Sequence, residues 1–186
     1  MWLLDPDSAN PLAVRLRGEG VPLGELYAFV SGLYFRGKLR YAQAFARPPA
    51  GVPGVAVIVP GRGLLEPHHL ITRDDLLAIA DVPVDVSDDR YRIPLARSAL
   101  ELGAAAGGGC RVALLGSIAS GRYVDILVGV FGERLEFPAE FVGRGDMSRG
   151  GLILRCVESG RELEYVPVIG APRRGPRPPR LPPRGS

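Results

Sequence analysis

Val55-Ala56-Val57-Ile58-Val59-Pro60-Gly61-Arg62-Gly63 is the stretch on which the fold reading turns. An unbroken apolar run of strand length, closed by a Pro-Gly turn, reads as a central strand covered on both faces. Upstream, Leu26, Phe29, Val30 and Leu33, then Leu39, Ala42 and Phe45, recur at three- and four-residue spacing, which is helical periodicity. Gly32 and Gly37 are expected to divide it into two helices, with Tyr34-Phe35-Arg36 at the junction. Arg47-Pro48-Pro49 ends it, since proline cannot continue a helix. Residues 1–24 read as loop, except that Leu12, Val14 and Leu16 alternate with polar residues and predict a short strand.

Downstream of the central run, Thr72 with Asp75 three residues on marks a helix start. Residues 93–106 predict an amphipathic helix with Pro94 near its first turn, stopped by Gly107-Gly108-Gly109. Residues 110–115 read as a second buried strand ending in Gly116-Ser117, residues 122–131 as a helix, and Leu135-Glu136-Phe137 as a third strand closed by Pro138. Residues 152–157 and 163–168 flank Glu158-Ser159-Gly160-Arg161 and predict a hairpin. The alternation gives an α/β fold: a mixed, largely parallel sheet covered by helices, with a C-terminal β-hairpin. Residues 1–170 make a single domain, and residues 171–186 a Pro/Arg-rich tail with too little to bury, expected to be disordered or polyproline-like.

Composition narrows the function classes. With 186 residues and a 46% hydrophobic fraction, the chain can build one core. The net charge of +3 is a property of the tail, where Arg173, Arg174, Arg177, Arg180 and Arg184 face no acid. Of the 23 basic residues, the 18 outside the tail meet 20 acids, so the body carries about −2 and is not a general polyanion binder. Lys38 is the single lysine. The two cysteines, Cys110 and Cys156, read as free thiols, and the adjacent His68 and His69 lack partners at metal-ligand spacing, so no metal and no cofactor are expected. The first residues lack the pattern of a signal peptide, and no apolar stretch approaches the ~20 residues that span a bilayer; a cytoplasmic protein without membrane contact is the expectation.

Three segments carry candidate chemistry. The foremost is Gly143-Arg144-Gly145-Asp146-Met147-Ser148-Arg149-Gly150-Gly151, with Glu140 just upstream. Its glycines permit close backbone approach to a ligand. Arg144, Arg149 and Ser148 can engage an anion, while Asp146 or Glu140 acts as a base or orients a hydroxyl. Gly116-Ser117-Ile118-Ala119-Ser120-Gly121 offers Ser117 and Ser120 at a helix start, although an N-capping serine explains it equally. Arg62, directly after the central strand, can clamp a carboxylate or phosphate, or can be an ordinary surface arginine. In a parallel sheet the turns after Val59, Leu115 and Phe137 would converge on one crevice at the carboxyl ends of the strands. Tyr34, Phe35 and Tyr41 can stack on a base, but aromatic residues on such a helix are usually core.

The order of Leu33-Tyr34-Phe35-Arg36 to Ala46, the Val55–Pro60 run, Gly63-Leu64-Leu65-Glu66-Pro67 and Leu70-Ile71 resembles bacterial α/β domains related to the YaaA-like peroxide-stress proteins. Residues 111–116, Tyr123 and residues 143–151 occupy places comparable to a second strand, a helix-opening tyrosine and a glycine-containing loop in that group. Arg62 stands where those proteins carry a tyrosine, and their usual first strand is not evident. The resemblance implies association with nucleotide or nucleic acid in stress or base-modification settings. The reading that joins these strands is a nucleotide-, modified-base- or nucleic-acid-binding protein, with N-glycosidic or base-modification chemistry as its enzymatic form. The alternative is a non-catalytic interaction or regulatory module that recruits a protein partner through the glycine-rich loop and the tail.

Overall fold

The computed structural model describes residues 2–119 and 121–179; Ser120 and the end of the tail lie outside the described residues. In chain order the elements are α1 (Pro11–Arg17), β1 (Val21–Pro22), α2 (Leu23–Val30), α3 (Gly32–Phe45), β2 (Val57–Val59), β3 (Gly63–Leu65), β4 (Leu70–Ile71), α4 (Arg73–Ala80), α5 (Asp89–Ala106), β5 (Val112–Ala113), α6 (Gly121–Phe131), β6 (Leu135–Pro138), α7 (Asp146–Ser159) and β7 (Tyr165–Pro167). The fold is α/β, but its strands are short and divided among small sheets. β1 pairs antiparallel with β4, β2 antiparallel with β3, and β6 lies between β5, its parallel neighbour, and the antiparallel β7.

Several expectations change accordingly. The 55–59 run is not the middle of a parallel sheet. Its last residues pair with Gly63–Leu65 in a hairpin, and Gly61 and Gly63 take positive φ of 74° and 76° to close the turn. Arg62 therefore sits in a hairpin turn, not at a strand end feeding a helix.

Residues 11–17 are helical, not extended. The Asn10 side chain accepts from the Leu12 N–H at 2.9 Å and Pro11 opens the helix, which buries Leu12, Ala13 and Leu16 while leaving Val14 exposed. Residues 152–157 belong to α7, so the hairpin placed there is replaced by a helix, a Gly160 cap at φ 65° and β7. A short apolar run fits a buried helix as well as a strand. Leu152, Ile153, Leu154 and Cys156 are all buried here: α7 packs along α3, and Leu152, Ile153 and Cys156 join the cluster that the C-terminal sheet also enters.

Other local signals hold. Gly32, at φ 65°, separates α2 from α3, although α3 runs on through Gly37. Thr72 and Asp75 form the reciprocal capping box of α4. Cys110 and Cys156 are free thiols.

Buried apolar side chains gather in two clusters. The first joins α1, β1, α2, β2, β4 and α4 through aliphatic residues such as Leu16, Leu23, Leu26 and Ile71. The second joins α5, α6, α7 and the C-terminal sheet, with Tyr41 of α3, and is rich in rings: Tyr91, Phe131, Phe137 and Phe141. Helix α3 belongs to both, since Phe35 packs on the first cluster and Tyr41 lies in the second. Its contact with α7 is close because glycines face it. A Cβ on Gly37 would stand 3.0 Å from Ile153, and one on Gly150 3.2 Å from the Tyr34 backbone. Gly150, read from sequence as room for a ligand, serves helix packing. Among the described residues no helix is long and apolar enough to cross a membrane.

Candidate functional site

Between the two clusters the fold leaves a cleft of about 1300 Å³. Helix α3 supplies Phe35, Lys38 and Tyr41 to its wall, α5 supplies Tyr91, α6 supplies Tyr123, the C-terminal sheet supplies Glu136 and Tyr165, and Arg111 enters from just before β5. The lining is mostly apolar and aromatic with a few polar groups, the usual make-up of a small-molecule site.

The polar groups fall into two kinds. Some are tied down. Tyr41 Oη accepts from the Leu163 N–H at 2.8 Å and shares a 2.8 Å hydrogen bond with Tyr165 Oη, which fixes one wall. Glu136, 6% exposed on the central strand β6, pairs with the exposed Arg111, and Arg47 pairs with Glu162 at 3.0 Å. Tyr123 donates to the Ser117 carbonyl at 2.7 Å, in space left by Gly116, where a Cβ would stand 2.7 Å from that hydroxyl.

The others are not. The buried Tyr91 hydroxyl has no hydrogen-bond partner among the described residues. The Lys38 Nζ lies 4.6 Å from the Tyr34 ring centroid and 5.6 Å from that of Phe35, and no described carboxylate stands within ion-pair distance of it. Burial lowers the Lys38 ammonium from its ordinary range, Asp146 pulls it back up, and Arg149 lowers it further. Burial likewise raises the hydroxyls of Tyr34, Tyr91 and Tyr123.

The glycine-rich segment does not line the cleft, but the start of α7 lies within electrostatic reach of it. Asp146 and Arg149, on the first turn of α7, act electrostatically on Tyr34, Lys38 and Tyr123, so the Ser117 turn and the α7 start share one neighbourhood. Arg144 donates through Nε to the Glu140 carbonyl at 2.9 Å and through Nη1 to Ser148 Oγ at 3.2 Å. Arg149, with 11% of its side chain exposed, donates to the Phe141 carbonyl at 3.1 and 3.2 Å and pairs with Asp146 at 3.3 Å. Both arginines thus tie the segment to itself. The Tyr34 hydroxyl is buried beside Arg149, off hydrogen-bond alignment.

Asp146 remains largely exposed, and α7 has no side-chain N-cap; a Cβ on Gly145 would meet open space. Ser117 Oγ accepts from the Ala119 N–H at 3.3 Å. Ser120 lies outside the described residues. Arg62 pairs with Asp75 beside the α4 cap, so Glu140, Arg144, Asp146, Ser148 and Arg149 come together and Arg62 does not join them. His68 and His69 are exposed, and no described group of three or more His, Cys, Asp or Glu side chains is placed to hold a metal ion.

Comparison with known proteins finds no matching family model, no matching curated protein and no matching solved structure. Of the cleft residues, Phe35 and Tyr41 are legible in the sequence as stacking rings but read as core, and Tyr91, Tyr165 and a role for Lys38 are not singled out there, although one signal is present. Tyr34, Phe35, Lys38 and Tyr41 recur at three- and four-residue spacing, so the only lysine of the chain shares a helix face with three rings.

Proposed function

We propose that the cleft binds a nucleotide or a modified base. The observation that carries this reading is the aromatic-walled cavity, two of whose lining residues, Lys38 and Tyr123, feel the charges of Asp146 and Arg149 on the uncapped first turn of α7. A planar ring fits between such walls, and stacking contributes about 1–3 kcal/mol per base. Its anionic end would meet the free amides at the α7 N-terminus, with Ser117 close by and Arg144, Ser148 and Arg149 holding the turn in place. Asp146, or Glu140 behind it, would orient a water or hydroxyl in N-glycosidic or base-modification chemistry. Arg62 does not enter this reading, because Asp75 holds its guanidinium. The resemblance to the YaaA-like proteins points to the same ligand class.

Isothermal titration of the full chain at low salt, against nucleoside monophosphates, free bases and short DNA or RNA, tests the reading. Saturable heat that is lost in Tyr123→Ala or Phe35→Ala supports it. No heat with any of these ligands overturns it.

A second reading, the non-catalytic interaction module, is favoured by the path of the tail. Arg173 pairs with Asp125 at 2.9 Å, Pro176 lies against Gly143, and the Pro179 carbonyl accepts from Arg144 at 3.5 Å. Deleting residues 171–186 separates the two readings: nucleic-acid affinity that disappears with the tail belongs to the tail and not to the cleft.

A further inference from the structure

We propose that Lys38 is a nucleophilic amine that forms an imine with a carbonyl carbon on a planar ligand held in the cleft. The inference deepens the reading above, since it rests on the same cavity and adds a covalent step to it.

Three observations carry it. Lys38 lines the cavity from α3 and is half-buried, where most lysines are exposed. Its Nζ rests over the Tyr34 and Phe35 rings, and no described carboxylate lies within 4.0 Å, so no salt bridge holds it as a spectator cation. The groups that act on it from the packed helix α7 are Asp146 and Arg149, of opposite sign, which leaves burial as the largest influence on its protonation. A desolvated lysine is the usual origin of an amine nucleophile near neutral pH.

The chemistry balances without a redox partner. The neutral Nζ attacks the carbonyl carbon as the C=O π pair moves to oxygen. The nitrogen loses two protons, the oxygen leaves as water, and a C=N bond replaces C=O. Hydrolysis reverses each step.

Because Lys38 is the only lysine, the amines that compete for a carbonyl are Lys38 and the N-terminus. The full chain is incubated with pyridoxal 5′-phosphate, a planar anionic aldehyde, or with 2-deoxyribose, then reduced with borohydride and mapped by peptide mass spectrometry. The expected result is an adduct at Lys38 formed about tenfold faster in the folded chain than in urea, because burial favours the free amine over the ammonium. Lys38→Arg should keep the N-terminal adduct alone. Folded-state labelling at Lys38 no faster than in urea, or confined to the N-terminus, overturns the inference. Labelling by pyridoxal phosphate but not deoxyribose assigns the carbonyl to a ring substituent, and the converse assigns it to a sugar. If nucleotides give titration heat but Lys38 does not label, this inference falls and the binding reading stands. If Lys38 labels and no nucleotide binds or protects it, the ligand class falls and the amine site stands.

Discussion

The two hydrophobic clusters are built from different materials. The cluster around α1, α2 and α4 is aliphatic throughout its buried positions, and Tyr27 and Phe35 touch it only from the side that faces the cleft. The cluster around α5, α6 and α7 buries several aromatic rings, sits beside the buried Glu136, and includes the unpartnered Tyr91 hydroxyl. Aliphatic packing satisfies itself. Buried polar groups without partners lower stability, and proteins keep such groups mainly where they act. On the proposed reading the first cluster is the support and the second the working side, joined along α3 and the β3–α5 contact.

The most damaging way to break that comparison is at the seam. Gly63 takes a positive φ of 76°, and a Cβ there would collide with Ser98 Oγ and the Pro94 carbonyl. Gly63→Ala should cost about 3–5 kcal/mol in a urea melt, from the clash and the strained backbone together. It should disturb both clusters, since Leu64 N–H donates to Ser98 Oγ across the same contact at 2.8 Å. Within the support, Leu26→Ala should cost about 2–5 kcal/mol yet leave the ligand affinity of the folded protein unchanged. Loss of affinity without loss of fold in that variant would refute the division of labour.

The working side should behave in the opposite way. Tyr91→Phe removes a buried hydroxyl that has no partner, so stability should hold or rise by about 1 kcal/mol while cleft binding weakens. A fall in stability of similar size would mean that the hydroxyl is already satisfied. Smaller again is the α4 cap: Thr72→Ala should cost about 1 kcal/mol at neutral pH. Donors from Thr72 hold the Asp75 carboxyl below its ordinary value. The carboxylate's share of the cap is thus fully present above about pH 4 and fades as the pH falls through the lowered folded value, while the Asp75 N–H to Thr72 Oγ1 bond persists. The gap between wild type and Thr72→Ala should narrow in acid. Smallest of all is the exposed pair of Arg173 and Asp125, whose removal should change stability by less than about 1 kcal/mol.

Legibility in the sequence followed the range of the forces involved. Thr72 with Asp75, Gly32 at the α2–α3 break, and the helix placed over residues 122–131 are local readings, and each is realised locally. Residues 57–59 were legible as a strand but not in their partner, and residues 152–157 were not legible as helix, because an apolar run says that it is buried and not what it is buried against. Their partners, a hairpin strand in one case and helix α3 in the other, are set by tertiary packing. The glycine-rich segment was legible as unusual but not in its parts. Gly150 serves the helix contact, Arg144 and Arg149 tie the turn, and the cavity takes its walls from residues scattered elsewhere in the sequence.

The solitary lysine also makes the fold its own reporter. A lysine-specific protease has one internal site in the whole chain, at Lys38, on the helix shared by both clusters. A single cut would require α3 to open, so the cleavage rate measures how often the two halves part, and a ligand that bridges the cleft should slow it.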